Sequence, residues 1–228
     1  PDYAAELDEV VAAFAQVGHP EIDFPFIAGW SYYHTLAHAN FGKGSAASHY
    51  PEFFARECTG VLTAASDGTV THGRNMDNLP AQLRNITVHH RFWSGSTLVA
   101  ESADWYWSGA GFMTMFVPGV VSLEENWRDG YHDVNGTDIV NAIVAGMPSQ
   151  NWFFRQAVFT KGMTDFEQIV EYLSTVKVAG PLYIIAAGAG PWEGAVLTRG
   201  ATTPTVRLSL AQNTSDGWFL VQTNFDHW

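Results

Sequence analysis

The sequence predicts an α+β fold, a layered domain with sheets packed together and helices outside. Three observations predict it. Strand-like hairpins begin at Cys58, helix-periodic segments return between residues 137 and 176, and three more strand-like runs close the chain. A mainly helical stretch precedes Cys58. The expected organisation is therefore a helical segment over residues 1–57 and a strand-rich segment over 58–228.

Residues 4–17 carry Leu7, Val10, Val11 and Phe14 at helical spacing, and Gly18 and Pro20 end that helix. Residues 21–57 read as partly helical, with Trp30, Tyr32, Tyr33 and Leu36 in one aromatic stretch and Gly42, Gly44 and Ser45 as a break. Residues 61–65 and 69–74 flank Ser66-Asp67-Gly68, and Asp-Gly is a strong hairpin turn. Residues 86–92 and 97–101 make a second hairpin about Ser94-Gly95-Ser96, and 112–117 and 120–124 continue the strand character. Helices are expected over 137–147, 152–159 and 164–176, and strands over 182–187, 194–199 and 218–223. Gly188-Ala189-Gly190 is followed by Pro191 and Glu193 instead of a helix start with a third glycine, so it reads as a turn between strands.

The 228 residues are 46% hydrophobic and 15% charged, enough apolar material for one large core. Fifteen Phe, nine Trp and eight Tyr serve that core or an apolar, lipid-like ligand. A formal charge of −12 makes nucleic acid an unsuitable partner. Nine His would cancel most of that charge in an acidic compartment and remove repulsion from an anionic membrane. The sequence has one cysteine, so no internal disulfide forms. No run of eighteen apolar residues suggests a membrane-spanning helix, and no signal peptide is visible. The start at Pro1 reads as a mature or trimmed end. Three glycosylation sequons begin at Asn85, Asn135 and Asn213.

Two histidine pairs test for metal. His34 and His38 are four apart on an expected helix but have no third ligand in a known pattern. His89 and His90 are adjacent on an expected strand and point to opposite faces. Neither pair implies a metal, and no cofactor is expected. Trp152-Phe153-Phe154 reads as core. Its alternative is an exposed patch that leans into a membrane together with the helix of residues 4–17, a peripheral contact.

The chemistry gathers at Cys58. Arg74 follows it by sixteen residues and Asp77 by nineteen, and the intervening hairpin folds both back beside it. A cation beside a thiol favours the reactive thiolate, and a carboxylate can hold an ammonium group or a water. Taken alone, a single Cys is more often a small buried hydrophobe.

The pattern C-T-x(14)-R-N-x-D resembles the start of the catalytic chain in N-terminal-nucleophile hydrolases of the choloylglycine hydrolase group. That group includes penicillin V acylase, bile salt hydrolase, and a branch of acid ceramidases and N-acylethanolamine-hydrolysing acid amidases. The segment 72–77 (HGRNMD) fits the whole group, whereas 181–199 and 221–228 (VQTNFDHW) resemble the acid amidase and acid ceramidase branch, as does an internal cysteine preceded by a long helical segment. The likeness covers most of the chain from about residue 50.

The resemblance implies an αββα sandwich and a proenzyme that cuts itself between Glu57 and Cys58, leaving two associated pieces. It implies a lipid amide substrate, an N-acylethanolamine or a ceramide, and a lysosomal or secreted location. The freed α-amine of Cys58 would act as base for its own thiol. Asp77 would orient that amine, Arg74 would face the sulfur, Asn224 would donate to an oxyanion, and Glu125 would assist self-cleavage. Three departures stand beside the match. The nucleophile reads Cys58-Thr59-Gly60, as in bile salt hydrolases, where the branch commonly has C-T-S. Phe225 stands where a Tyr is usual. The group continues past DHW with an Arg-bearing segment, which implies a domain C-terminally incomplete at Trp228. The alternatives are an amidase of the bile salt hydrolase or penicillin V acylase kind, and a non-catalytic lipid-binding or structural relative.

Overall fold

A computed structural model describes residues 2–27, 29, 32, 58–76, 81–105, 111, 113–128, 136–147, 152–200 and 203–226. The expectations for Trp30, Tyr33, His34, Leu36, His38, Glu57, Asp77 and Asn135 lie outside the described residues.

Helix α1 runs Asp2–Gln16 and buries Leu7. Its chain turns off at Gly18, whose positive φ of 91° suits a residue without Cβ. From Cys58 the chain builds two antiparallel sheets. The smaller holds β1 (Cys58–Ala64) between β2 (Val70–Met76) and β10 (Phe219–Gln222). The larger follows chain order: β3 (Thr87–Ser94), β4 (Thr97–Trp105), β5 (Thr114–Val117), β6 (Val121–Trp127), β7 (Leu182–Gly188), β8 (Gly194–Arg199) and β9 (Val206–Ser209). The helices α2 (Gly136–Val144), α3 (Phe153–Arg155) and α4 (Phe166–Thr175) lie between β6 and β7 in sequence.

Two apolar clusters explain the layering. Val121, Leu123, Leu182 and Ile184 of the larger sheet pack with Phe153, Ile169 and Leu173 from the helices. Tyr183, Ile185 and Val196, on the opposite face, pack with Leu62 and Ala64 of β1. Strands β7 and β8 are therefore covered on both sides, which is why Leu182–Ala187 reads as a continuous apolar run. On the sheet's flank β3 alternates instead, with His89 exposed and His90 half-buried on opposite faces.

Helix α4 is fixed at both ends. The Asp165 carboxylate accepts from the Gln168 N–H at 3.0 Å, an N-cap, and the Arg199 guanidinium donates to the carbonyls of Leu173 and Val176. The expected helix over 152–159 is one α turn continued by a π turn, Gln156–Thr160. Phe153, Phe154, Ala157 and Val158 are all buried along that stretch. The alternative reading of Phe153 and Phe154 as an exposed membrane patch is thereby overturned, because the sheet removes both rings from solvent. Two elements were not expected: β9, an edge strand held by pairing with β8, and the 3₁₀ turn Ala81–Ile86. No described helix is long and apolar enough to cross a membrane.

Candidate active site

Cys58 is the first residue of the central strand β1 and is partly exposed. On one side it pairs with Met76, while Gly60 faces Arg74 and Leu62 faces His72. On the other side Gly60 faces Gln222, which brings Asn224, two residues on, level with Cys58. Strand alternation turns Cys58, Gly60, Leu62, Arg74 and His72 toward the larger sheet.

The sequence-expected residues meet as follows. The Cys58 backbone N–H donates to Asn224 Oδ1 at 2.5 Å. Arg74 Nη2 lies 3.9 Å from Cys58 Sγ and donates to the Glu125 carbonyl at 2.7 Å, so β6 holds the guanidinium beside the sulfur. Asn224 donates through Nδ2 to the Trp127 carbonyl at 2.5 Å. It thus presents its oxygen, not its NH2 group, to Cys58.

Glu125 turns its side chain away from the face that carries Cys58. Adjacent strand residues face opposite ways, so Glu125 shares the helix-facing side of β6 with Val121 and Leu123. It reaches the Cys58 cluster through its backbone carbonyl. Burial pushes its carboxyl up to about 8, helped by the neighbouring Glu124 and opposed by Arg74.

The carboxylate that does face Cys58 and Arg74 belongs to Glu124. Its Oε1 lies 3.5 Å from Arg74 Nε, and its Oε2 lies 2.9 Å from His72 Nε2. His72 Nδ1 in turn meets Ser122 Oγ at 2.9 Å. Gly60 makes this approach possible, since a Cβ there would stand 2.7 Å from Glu124 Oε1. Beside the cluster is a cavity of about 250 Å³ lined by His72, Arg74, His89, Glu101, Phe116 and Glu124 among others. Sequence reasoning missed Glu124 and His72 as members of the cluster. The signal for His72 was available: it precedes Arg74 by two residues on the same strand, hence on the same face.

The segment carrying Asn224 is clamped. Asp226 receives both Arg128 Nε at 2.7 Å and Arg128 Nη2 at 2.6 Å, and the Tyr183 hydroxyl donates to it at 2.5 Å. Gln222 adds its carbonyl to Asn126 Nδ2 at 3.1 Å. Among the described residues no group of three His, Cys, Asp or Glu side chains could hold a metal ion. Asn85 and Asn213 are exposed.

No family model matches the chain. Individual proteins do. An N-acylethanolamine-hydrolysing acid amidase from Caenorhabditis elegans is 29% identical over 184 residues, 80% of this chain and 50% of that protein. Human acid ceramidase is 27% identical over 189 residues, 75% of this chain and 46% of that protein. A solved structure of the Caenorhabditis elegans acid amidase ortholog superposes with a TM-score of 0.64 at 28% identity, covering 75% of this chain and 71% of that one. The chain is similar to acid amidases and acid ceramidases over three quarters or more of its length. Its fold is the N-terminal-nucleophile hydrolase fold, α+β with two antiparallel sheets. The chain spans about half the length of the curated acid amidases and acid ceramidases it matches.

Proposed function

We propose that this chain carries the nucleophile of an amide hydrolase that splits a lipid amide, an N-acylethanolamine or a ceramide, into fatty acid and amine. The observation that carries the reading is the meeting, at the first residue of β1, of Cys58 with Arg74 from β2 and Asn224 from the β10 segment. The likeness to acid amidases and acid ceramidases supports the substrate class.

In the proposed reaction the chain opens between Glu57 and Cys58, turning the Cys58 nitrogen into an α-amine. The thiolate attacks the amide carbonyl carbon and forms a C–S bond. The C–N bond then breaks, and the α-ammonium gives its proton to the departing amine. Water hydrolyses the resulting thioester, releasing the acid and restoring the thiol. Asn224 Oδ1, already 2.5 Å from the Cys58 nitrogen, would orient the amine. For Asn224 also to donate to an oxyanion, as the resemblance implies, its NH2 would have to leave the Trp127 carbonyl. Asp77 is proposed as a further anchor for the amine. Glu125 is proposed to assist self-cleavage, and its carbonyl grip on Arg74 supports that role.

A lysosomal or secreted location is proposed with this reading. The exposure of Asn85 and Asn213 supports glycan acceptors there, and a glycosidase-sensitive mass would test it.

The deciding experiment is intact mass under denaturing conditions after acid incubation, together with amide hydrolysis assays on palmitoylethanolamide, ceramide and penicillin V, read as release of the carboxylic acid from each. Pieces of 57 and 171 residues and turnover of a lipid amide are expected. Cys58→Ala should abolish both cutting and turnover. Turnover that survives this change would overturn the mechanism.

A further inference from the structure

Resting on the reading of Cys58 as the nucleophile, we propose that Glu124 is a positioning residue that shares the Arg74 cation with the Cys58 sulfur. His72 sets how much of that cation the sulfur receives.

The guanidinium stands between two acceptors of its charge. Nη2 points at Sγ from 3.9 Å, and Nε faces Glu124 Oε1 at 3.5 Å. Neither Nε nor Oε1 has a hydrogen-bond partner among the described residues. The Glu124 side chain is 1% exposed and that of His72 8%, so solvent screens the cluster weakly. With a neutral imidazole, the charges of Arg74 and Glu124 cancel. With an imidazolium, one positive charge is left over beside the sulfur. Imidazole is the side chain that ordinarily changes charge between pH 5 and 8.

The hydrogen bonds permit both states without movement of heavy atoms. In the neutral state Nε2–H donates to Glu124 and Nδ1 accepts from the Ser122 hydroxyl. In the charged state Nδ1–H donates to the same oxygen after the hydroxyl proton rotates away. The other groups around the cluster do not substitute for His72. Glu125, also on β6, sits on the opposite face with its carboxyl pushed up by burial. Asp226, after β10, is held by Arg128. His89 of β3 and Glu101 of β4 form their own pair, at 3.3 Å, across the cavity. Asn224 carries no charge.

The consequence concerns acid. A thiol ordinarily loses tenfold in thiolate for each pH unit below its pKa. Here protonation of His72 releases more of the Arg74 charge toward Cys58 as the pH falls, and part of that loss is recovered. This also eases a difficulty in the proposed function: an α-amine with an ordinary pKa of roughly 7.7–8.0 is protonated in acid and suits a thiolate–ammonium pair better than a free base.

Cys58 is the sole cysteine, so alkylation by iodoacetamide, followed by intact mass, reads its thiolate directly and needs no substrate. Between pH 7 and 5 the wild-type rate should fall clearly less than tenfold per unit. His72→Gln should restore the full tenfold fall. Glu124→Gln should react several-fold faster than wild type at pH 7 and lose the dependence on His72. A Glu124→Gln protein that reacts more slowly, or three superimposable profiles, overturns the proposal. Thermal melts check that the variants fold. If they do not, a wild-type profile falling tenfold per unit is by itself enough to overturn it. Alkylation is independent of amide turnover, so a chain that hydrolyses nothing leaves this inference standing or falling on its own.

Discussion

Glu124 and Glu125 are consecutive, chemically identical and both buried, yet they live in different surroundings. Glu124 faces the smaller sheet, with Arg74 and His72 at its two oxygens. Glu125 faces the helices, and burial holds its carboxyl up at about 8. The difference teaches that the pleat, more than the residue type, decides what a strand carboxylate does. One side of β6 offers a guanidinium and an imidazole as partners, while the other offers a core in which ionisation is penalised.

The largest expected effect comes from removing the partnered charge. Glu124→Leu leaves Arg74, whose side chain is only 13% exposed, without its carboxylate, and urea unfolding should report a loss of about 3–5 kcal/mol. Glu125→Gln tests the other face through pH. Glu125 is protonated more readily folded than unfolded, so its contribution to stability is complete below about pH 4.5 and is lost as pH rises through about 8. Wild type should therefore lose stability relative to Glu125→Gln over that window, by up to about 1.4 kcal/mol per pH unit. Parallel stability curves for the two proteins would remove the contrast. The smallest effect belongs to an exposed carboxylate. Glu167 takes both Arg207 nitrogens at 2.8 Å but is largely solvated, so Glu167→Gln should change the melting free energy by about 0.5 kcal/mol or less.

Much of the sheet was legible because its signals are local. The Asp67-Gly68 turn needs a positive φ, and Gly68 has one of 90°, so the β1–β2 hairpin could be read from its turn and the strand-like runs on either side. The fully buried β7 announced itself as an unbroken apolar run. Strand β9 did not, because Val206–Ser209 is short, mostly exposed and held by pairing with β8 instead of by its own pattern. At the site, the spacing from Cys58 to Arg74 was readable because both lie on one hairpin in register. Which of two adjacent glutamates faces them was not. That depends on how β6 in one sheet is phased against β1 in the other, and no local pattern carries that phase.

Chain ends usually fray, because nothing on either side holds the last few residues. Cys58 begins a strand with a neighbour on each side: Met76 lies across from it in β2, and Asn224 grips its nitrogen from the β10 segment. A backbone opened just before this residue would make Cys58 a terminus that is still held in place. The nucleophile would keep its place through cleavage with no separate step of reordering. Amide protons from Gly60 to Leu62 should exchange with solvent at nearly the same slow rate before and after the cut.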